Sequence, residues 1–422
     1  MQEVAAALEK AADWLASKQK SDGSWPADRQ MFNVPEDWLS EQFVTGHAAH
    51  TLLLAGNVMH VGNVQRAIAF CVNRPLVKMD PISWYASNLL VLNFSDGVHN
   101  RRQSDRLAKV LIRRQDADGS WPVYPNALNS MNFMVVTALA DHNAAGALNG
   151  AVRWFRSCVA ADDYGWGETT PKDVQVTATA KVSLSLLLCN ERPDSRLLRN
   201  ARRFLESKQN ADGNWDSPRF KVPSTDATAC STLALMLLSK TPFNERVEKA
   251  VRWLLKTQSR VGGWPYYAGT PPRPFNTHSV VRTLAFWKHL HEQWERPEIR
   301  GLRESMGPQA TAVWLWRRFP AYLKERYEHL LVRSMLDSKA LGSTKAAIMR
   351  RKEILRTLSK EGPGDTAEVI DRLKPLPEYA HLRKKSHITQ IKNDLDYLKD
   401  VNLVSMVRGR YAVVKDFLQD QK

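Results

Sequence analysis

Two sets of side chains in this sequence have the types and spacing to do chemistry. Toward the C-terminus, Ser386, Thr389, Gln390, Asn393 and Tyr397 recur at helical intervals opposite Ile388, Ile391, Leu395 and Leu398, with Lys384 and Lys385 just before them. Gln and Asn amides pair bidentately with adenine in a major groove, and lysines pair with phosphates, so this set suits duplex DNA. A polar outer face is also what any soluble helix presents. In mid-chain, Pro223-Ser224-Thr225-Asp226-Ala227-Thr228-Ala229 carries a lone carboxyl, Asp226. Cys230 follows at i+4 and shares its helical face, and His278 lies further on in Phe275-Asn-Thr-His278-Ser. The plainer role for Ser224, Thr225 or Asp226 is to cap a helix N-terminus. No Walker A, GxSxG, HExxH or paired-cysteine signature occurs, so other common enzyme classes lack support.

The elements that position these residues come from a repeat. Gln19-x3-Gly23-x-Trp25, Gln115-x3-Gly119-x-Trp121, Gln209-x3-Gly213-x-Trp215 and Gln258-x3-Gly262-x-Trp264 share one pattern, and Tyr164-Gly165-Trp166 is a degenerate copy. Trp121, Trp166, Trp215 and Trp264 are 45, 49 and 49 residues apart, and the gap of 96 from Trp25 to Trp121 leaves room for a repeat without its signature. A fixed period of this length marks stacked units that cannot bury their apolar faces alone. Each unit reads as an amphipathic helix ending at the Gln, a glycine turn, and a second, smaller and more apolar helix such as Thr177–Leu188. Six inner helices are expected near 37–56, 81–93, 129–142, 174–189, 225–239 and 276–291, each preceded by an outer one, which makes a closed double ring.

These four Gln-x3-Gly-x-Trp copies resemble the QW repeats of squalene–hopene cyclases, and the helix pairing resembles the protein prenyltransferase β subunit, over roughly residues 1–293. The resemblance implies an all-α (α6-α6) toroid. Class II terpene cyclases protonate an alkene or epoxide with the central Asp of a DxDD-T-A segment. Aligned on the trailing Thr-Ala, Asp226 keeps the central place, while Ser224 and Ala227 replace the flanking carboxylates. Protonating an alkene needs an acid tuned by its neighbours, so the toroid is expected to be non-catalytic, with Asp226 the catalytic residue if it is not. The prenyltransferase side of the resemblance implies zinc, for which Asp226, Cys230 and His278 are a sensible set with an open fourth position. The family spaces its Asp and Cys two apart rather than four, so no cofactor is favoured and zinc is the alternative. Trp38, His47, His50, Trp84, Tyr85, Asn132, Gln175 and His278 are expected to face the central cavity, where aromatics of these families stabilise carbocations. They serve equally for core packing or for an isoprenoid, small-molecule or peptide ligand.

After His291, Glu292–Arg300 reads as a charged connector, and an aromatic-rich helix near 309–337 is expected to dock a second module, with 294–342 a helical linker. Residues 343–422 form that module: a helix with Ile348, Ile354, Leu355 and Leu358 on its apolar face, a short helix at 366–373 capped by Asp365, a third from Ser386 to about Asp400, and two strands around Arg408-Gly409-Arg410. This order resembles the winged helix-turn-helix family, an α+β domain, over about 343–415. The helical period puts Ile388, Ile391, Leu395 and Leu398 on one side, which must be core, with the polar face opposite and suited to a major groove; the resemblance puts Arg408 and Arg410 at a wing tip suited to a minor groove. Winged helices also dock proteins.

Charge agrees with the DNA reading. The chain carries a formal +16, of which +9 falls in the 122 residues from Gly301 onward, about threefold denser than before it. The N-terminus lacks a signal-peptide pattern, no run suits a membrane span, and the four scattered cysteines fit a reducing compartment, so a cytoplasmic protein is expected. The leading expectation is a DNA-binding protein whose toroid serves as a sensor or scaffold. The alternatives are an isoprenoid cyclase or prenyltransferase using Asp226, and a subunit of a prokaryotic defence assembly that docks protein partners through both domains.

Overall fold

The computed structural model describes residues 1–27, 40–73, 80–94, 98–121, 128–161, 164–168, 173–336, 345–374, 385–400, 404–407 and 409–413. Twelve helices among them alternate between an outer and an inner ring. The outer ones are α1 (Gln2–Ala16), α3 (Val61–Asn73), α5 (Val98–Arg113), α7 (Ala145–Ser157), α9 (Arg196–Ser207) and α11 (Glu245–Lys256). The inner ones are α2 (Glu41–Ala55), α4 (Ile82–Leu92), α6 (Leu128–Leu139), α8 (Val176–Leu188), α10 (Thr225–Leu238) and α12 (Pro274–Trp294). Outer helices bury one stripe, as Val247, Ala250, Val251 and Leu254 of α11 do, while every residue of α10 is buried. A helix buried on every side belongs to the inner ring, and the small and apolar side chains of α10 allow it to pack there.

Each part of the repeat has a mechanical role. The glutamine amide donates to the carbonyl of its own turn glycine and to a carbonyl of the next outer helix: Gln115 to Gly119 and Ala147, Gln209 to Gly213 and Arg246. The tryptophan is fully buried, roughly 4–6 kcal/mol of apolar transfer each. Its indole donates to the end of the outer helix and its backbone N–H to an inner-helix side chain: Trp215 Nε1 to Leu205 O at 2.8 Å, Trp215 N to Thr228 Oγ1 at 3.1 Å. Trp25, Trp121, Trp166 and Trp264 repeat this arrangement. The turn glycines have φ near +90° to +118°, and a Cβ on Gly119 would stand 2.1 Å from the Gly150 carbonyl, so only glycine fits. The ring closes, because α12 packs on α2 and the last glutamine, Gln258, donates to Ala7 O of α1 at 2.8 Å.

The stretch read as a charged connector is mostly helix: α12 runs on to Trp294, and α13 (Pro297–Met306) starts three residues later. Helix α14 (Pro308–Leu336) then crosses the C-terminal ends of the inner helices, burying Val313, Trp316, Phe319 and Leu323. Its polar side chains meet carbonyls of the last turns of those helices, where intrahelical partners run short: Gln309 donates to Leu238 O, Arg317 to Leu187 O and Arg326 to Leu54 O. Two of the three are cations, favourable at helix C-termini. The linker is therefore the floor of the ring.

Beyond it lie α15 (Lys345–Glu361), α16 (Thr366–Leu373), α17 (Lys385–Asp400) and an antiparallel hairpin, β1 (Val404–Val407) with β2 (Arg410–Val413). Asp365 caps α16 in a reciprocal capping box with Glu368. Helix α17 begins at Lys385, so Ser386 is its second residue rather than its cap. Ile391, Leu395 and Leu398 are core, but Ile388 is 41% exposed, because the buried stripe of α17 begins one turn later. The same helix buries Asp394, which accepts from Arg350 and Arg351 of α15, each at 2.8 Å. Ile348 has no described side chain. Among the described residues no helix is long and apolar enough to cross a membrane.

Candidate functional site

The inner helices bring their N-terminal halves together around a small polar cluster. Ser224 is the N-cap of α10, its hydroxyl accepting from Ala227 N, which leaves Asp226 free to point inward. One carboxylate oxygen accepts from Ser279 Oγ at 2.6 Å and from the Cys230 thiol at 3.8 Å. The other accepts from Lys181 Nζ of α8 at 3.4 Å, with the side chains only 7% and 9% exposed. Lys181 also reaches Ser130 Oγ at 3.2 Å, and Ser130 in turn donates to Glu168 through both its N–H and its hydroxyl. Burial by itself would raise the Asp226 pKa. The Lys181 ammonium, the Ser279 hydroxyl and the Arg282 guanidinium outweigh it and hold the carboxyl below the usual aspartate range. Burial opposes the Lys181 charge, but Asp226 overcomes that and keeps the ammonium protonated.

Below this pair the ring holds a chamber of about 30 Å³ lined by His47, His50, Phe133, Phe275, His278 and Arg282, among others. A second chamber, of about 40 Å³, shares His50, Leu90, Thr137 and Arg282 with the first and reaches the α14 floor at Trp316, Phe319 and Leu323. Burial depresses the three histidines, His47 to about 4, His50 to about 3 and His278 well below its ordinary value. His50 Nδ1 and His278 Nε2 lie 2.9 Å apart and share one hydrogen bond, so one ring donates and the other accepts. The aromatic faces already have cations of the protein's own: Arg282 Cζ sits 4.7 Å over Phe133 and Lys181 Nζ 6.0 Å from Phe275.

Of the residues expected to face the cavity, His47, His50 and His278 line it. Tyr85 is buried under the Arg114 guanidinium, Trp84 packs on the outside of the core, Asn132 accepts from Trp121 N, and Gln175 donates to Asp173 at the head of α8. Trp38 lies outside the described residues. Sequence reasoning passed over Lys181 and Arg282, whose signal is a cation set among the small and apolar residues of an inner helix. The alternative zinc set does not assemble. Asp226 is taken by Lys181 and Ser279, burial pushes the Cys230 thiol up to about 12, and His278 turns to His50. Among the described residues no group of three His, Cys, Asp or Glu is placed to hold a metal ion.

On α17, Thr389, Gln390 and Asn393 are exposed on one side. The side chains of Lys385, Ser386 and Tyr397 and the whole of Lys384 and Arg408 lie outside the described residues. Arg410 is half-exposed and ion-paired to Glu368 of the capping box rather than standing free at the hairpin turn.

No protein-family profile matches the sequence, and no curated protein does. Among solved structures, the type II terpene cyclase MstE from Scytonema is similar with a TM-score of 0.51 at 14% identity, over 67% of this chain and 97% of that one. A point variant of the same cyclase, in complex with geranylgeranyl dihydroxybenzoate, gives 0.50 at 13% identity, over 67% and 97%. An unsaturated glucuronyl hydrolase specific for heparin gives 0.53 at 11% identity, over 69% and 98%. At these identities the shared property is the fold: this chain contains an α/α toroid.

Proposed function

We propose that the toroid is a binding chamber for a small molecule and that Asp226 serves it as a fixed anion rather than as a proton donor. The observation carrying this is the Lys181–Asp226 pair. A general acid must hold a proton at working pH, and an ammonium 3.4 Å away favours the carboxylate. The own-cation contacts of Phe133 and Phe275 and the size of the two chambers support the same reading. Incubating the purified protein with polyprenyl substrates is expected to give no cyclised product. Turnover that Asp226→Asn abolishes, in a variant still folded at the assay temperature, would reject the proposal.

That result would establish the enzymatic alternative, an isoprenoid cyclase or prenyltransferase using Asp226. The comparisons favour this alternative over a regulator, since the neighbours named above are a terpene cyclase and a hydrolase. A carboxyl buried at the head of an inner helix also supports it.

The C-terminal unit we read as a winged helix-turn-helix domain that binds duplex DNA. Support comes from the order of three helices and a hairpin, the exposed Thr389, Gln390 and Asn393, and the positive charge after Gly301. Helix α14 touches both the lower chamber and α15, which offers a route for coupling the two units. Binding led by phosphates falls steeply with salt. A fluorescence titration that finds no duplex binding at low salt would remove this part.

A further inference from the structure

We propose that the lower chamber of the ring binds a small amphipathic monoanion, a carboxylate on a short apolar skeleton, with its head received by Arg282 and Trp316. This rests on the reading of the toroid as a binding chamber and specifies what it binds.

Arg282 is 5% exposed, lies between the two chambers and lines both. Its Nε is buried with no acceptor; the guanidinium meets the Cys230 thiol and feels the Asp226 charge, but forms no ion pair with a carboxylate among the described residues. Asp226 contributes a single charge to a site with two cations, and its oxygens are engaged by Lys181, Ser279 and Cys230. Glu168 is turned to Ser130 on the far side of Lys181. Cys230, beside Arg282, stays an uncharged thiol because burial raises it. Arg282 is thus a buried charge without a counter-charge of its own, an arrangement proteins rarely keep without a use.

A second orphan points the same way. Trp316, 5% exposed on the α14 floor, lines the lower chamber, and its Nε1 is also buried without an acceptor. Indole and guanidinium nitrogens only donate, and no side chain lining that chamber offers a buried acceptor in need of a donor. The chamber therefore calls for an acceptor; its other charged wall, Asp141, is offset by Lys324, so the positive charge of Arg282 sets that acceptor's charge at minus one. The remaining walls are mainly apolar, Leu54, Leu90, Phe94, Leu188, Phe319 and Leu323, with His50, Asn93, Thr137 and Asp141 among them, and about 40 Å³ limits the skeleton to a few carbons.

The test is calorimetric titration of the full chain, in chloride-free buffer, with straight-chain carboxylates from acetate to octanoate and with the alcohols of the same skeletons. The expected result is a preference of roughly tenfold or more for a carboxylate over its alcohol, as suits charge-assisted hydrogen bonds. Arg282→Met should erase that preference while leaving unliganded thermal stability equal or higher, since it removes an unpaired buried charge. Trp316→Phe, which keeps the floor packed, should weaken carboxylate binding several-fold. If alcohols bind as tightly as carboxylates, or if Arg282→Met and Trp316→Phe leave carboxylate affinity unchanged, the anion site is wrong while the binding chamber stands. If neither series binds, both readings fall.

Discussion

Replacing Lys181 by methionine tests the central electrostatic argument, because it removes one charge from a pair nine-tenths buried and keeps the volume. The N–O distance is 3.4 Å. At an effective dielectric constant of about 20 the attraction is roughly 5 kcal/mol, and breaking a buried pair from one side typically costs about 3–5 kcal/mol because the other charge is stranded. For a toroid of this size, 1 kcal/mol shifts the melting temperature by about 2 °C, so Lys181→Met should melt roughly 6–10 °C lower at pH 7. The five fully buried repeat tryptophans make fluorescence a suitable readout of toroid unfolding. The pH dependence carries the sign. In the native protein Asp226 sits below its unfolded pKa, so its contribution is present above about pH 4 and is lost as pH falls through the folded value. Without the ammonium, burial raises the carboxyl instead, so the variant should lose less stability than the native protein as pH falls from 7 toward 5, narrowing the gap between them. Lys181→Met combined with Asp226→Asn should regain most of the loss. A shift under 2 °C for the single variant, or no recovery in the double, would refute the pairing and restore Asp226 as a candidate acid.

Three further outcomes follow. Burial holds His47 at about 4 and His50 at about 3, both below the ordinary 6.5. The unfolded chain therefore takes up protons first as pH falls below about 6.5, and the toroid should lose about 2 kcal/mol per histidine by pH 5, a loss that His50→Asn shrinks in melting scans. Gly119→Ala places a Cβ 2.1 Å from Gly150 O at a left-handed φ of +91° and should cost more than about 2 kcal/mol, whereas Gly146→Ala, where a Cβ meets nothing within 4 Å, should be neutral or stabilising. Asp394→Ala removes the buried carboxylate that ties α17 to Arg350 and Arg351, so by hydrogen exchange the unit around α15 and α17 should open while the toroid stays protected.

The ring was legible in the sequence because each repeat residue does a local job. Gln, Gly and Trp bond within a few residues of themselves or to the next helix, so period and type suffice to place them. The pair α3 and α4, which has lost the signature, was recovered from the 96-residue gap alone. The floor was half legible: aromatics at Trp316 and Phe319 marked a docking helix, but that it crosses three inner-helix ends depends on carbonyls 71 to 272 residues distant. The site was the least legible part. Lys181 and Asp226 are 45 residues apart and on different helices, and nothing local to either states that they meet. On α17 the helical period was read correctly but ran one turn too far, to Ile388, and gave no hint that Asp394 would be buried.

The bond from Gln258 to Ala7 spans 251 residues. Loop-closure entropy must be overcome before so distant a contact gives anything back, and such topologies fold slowly and expose apolar surface on the way. During synthesis the successive hairpins can stack as they emerge, α1 on α2 first, but α1 lacks its other neighbours until α11 and α12 are made. Helix α1 is thus among the last to be fully covered, and part of its buried stripe of Val4, Ala7, Leu8 and Ala11 waits as the sticky edge of an unfinished circle.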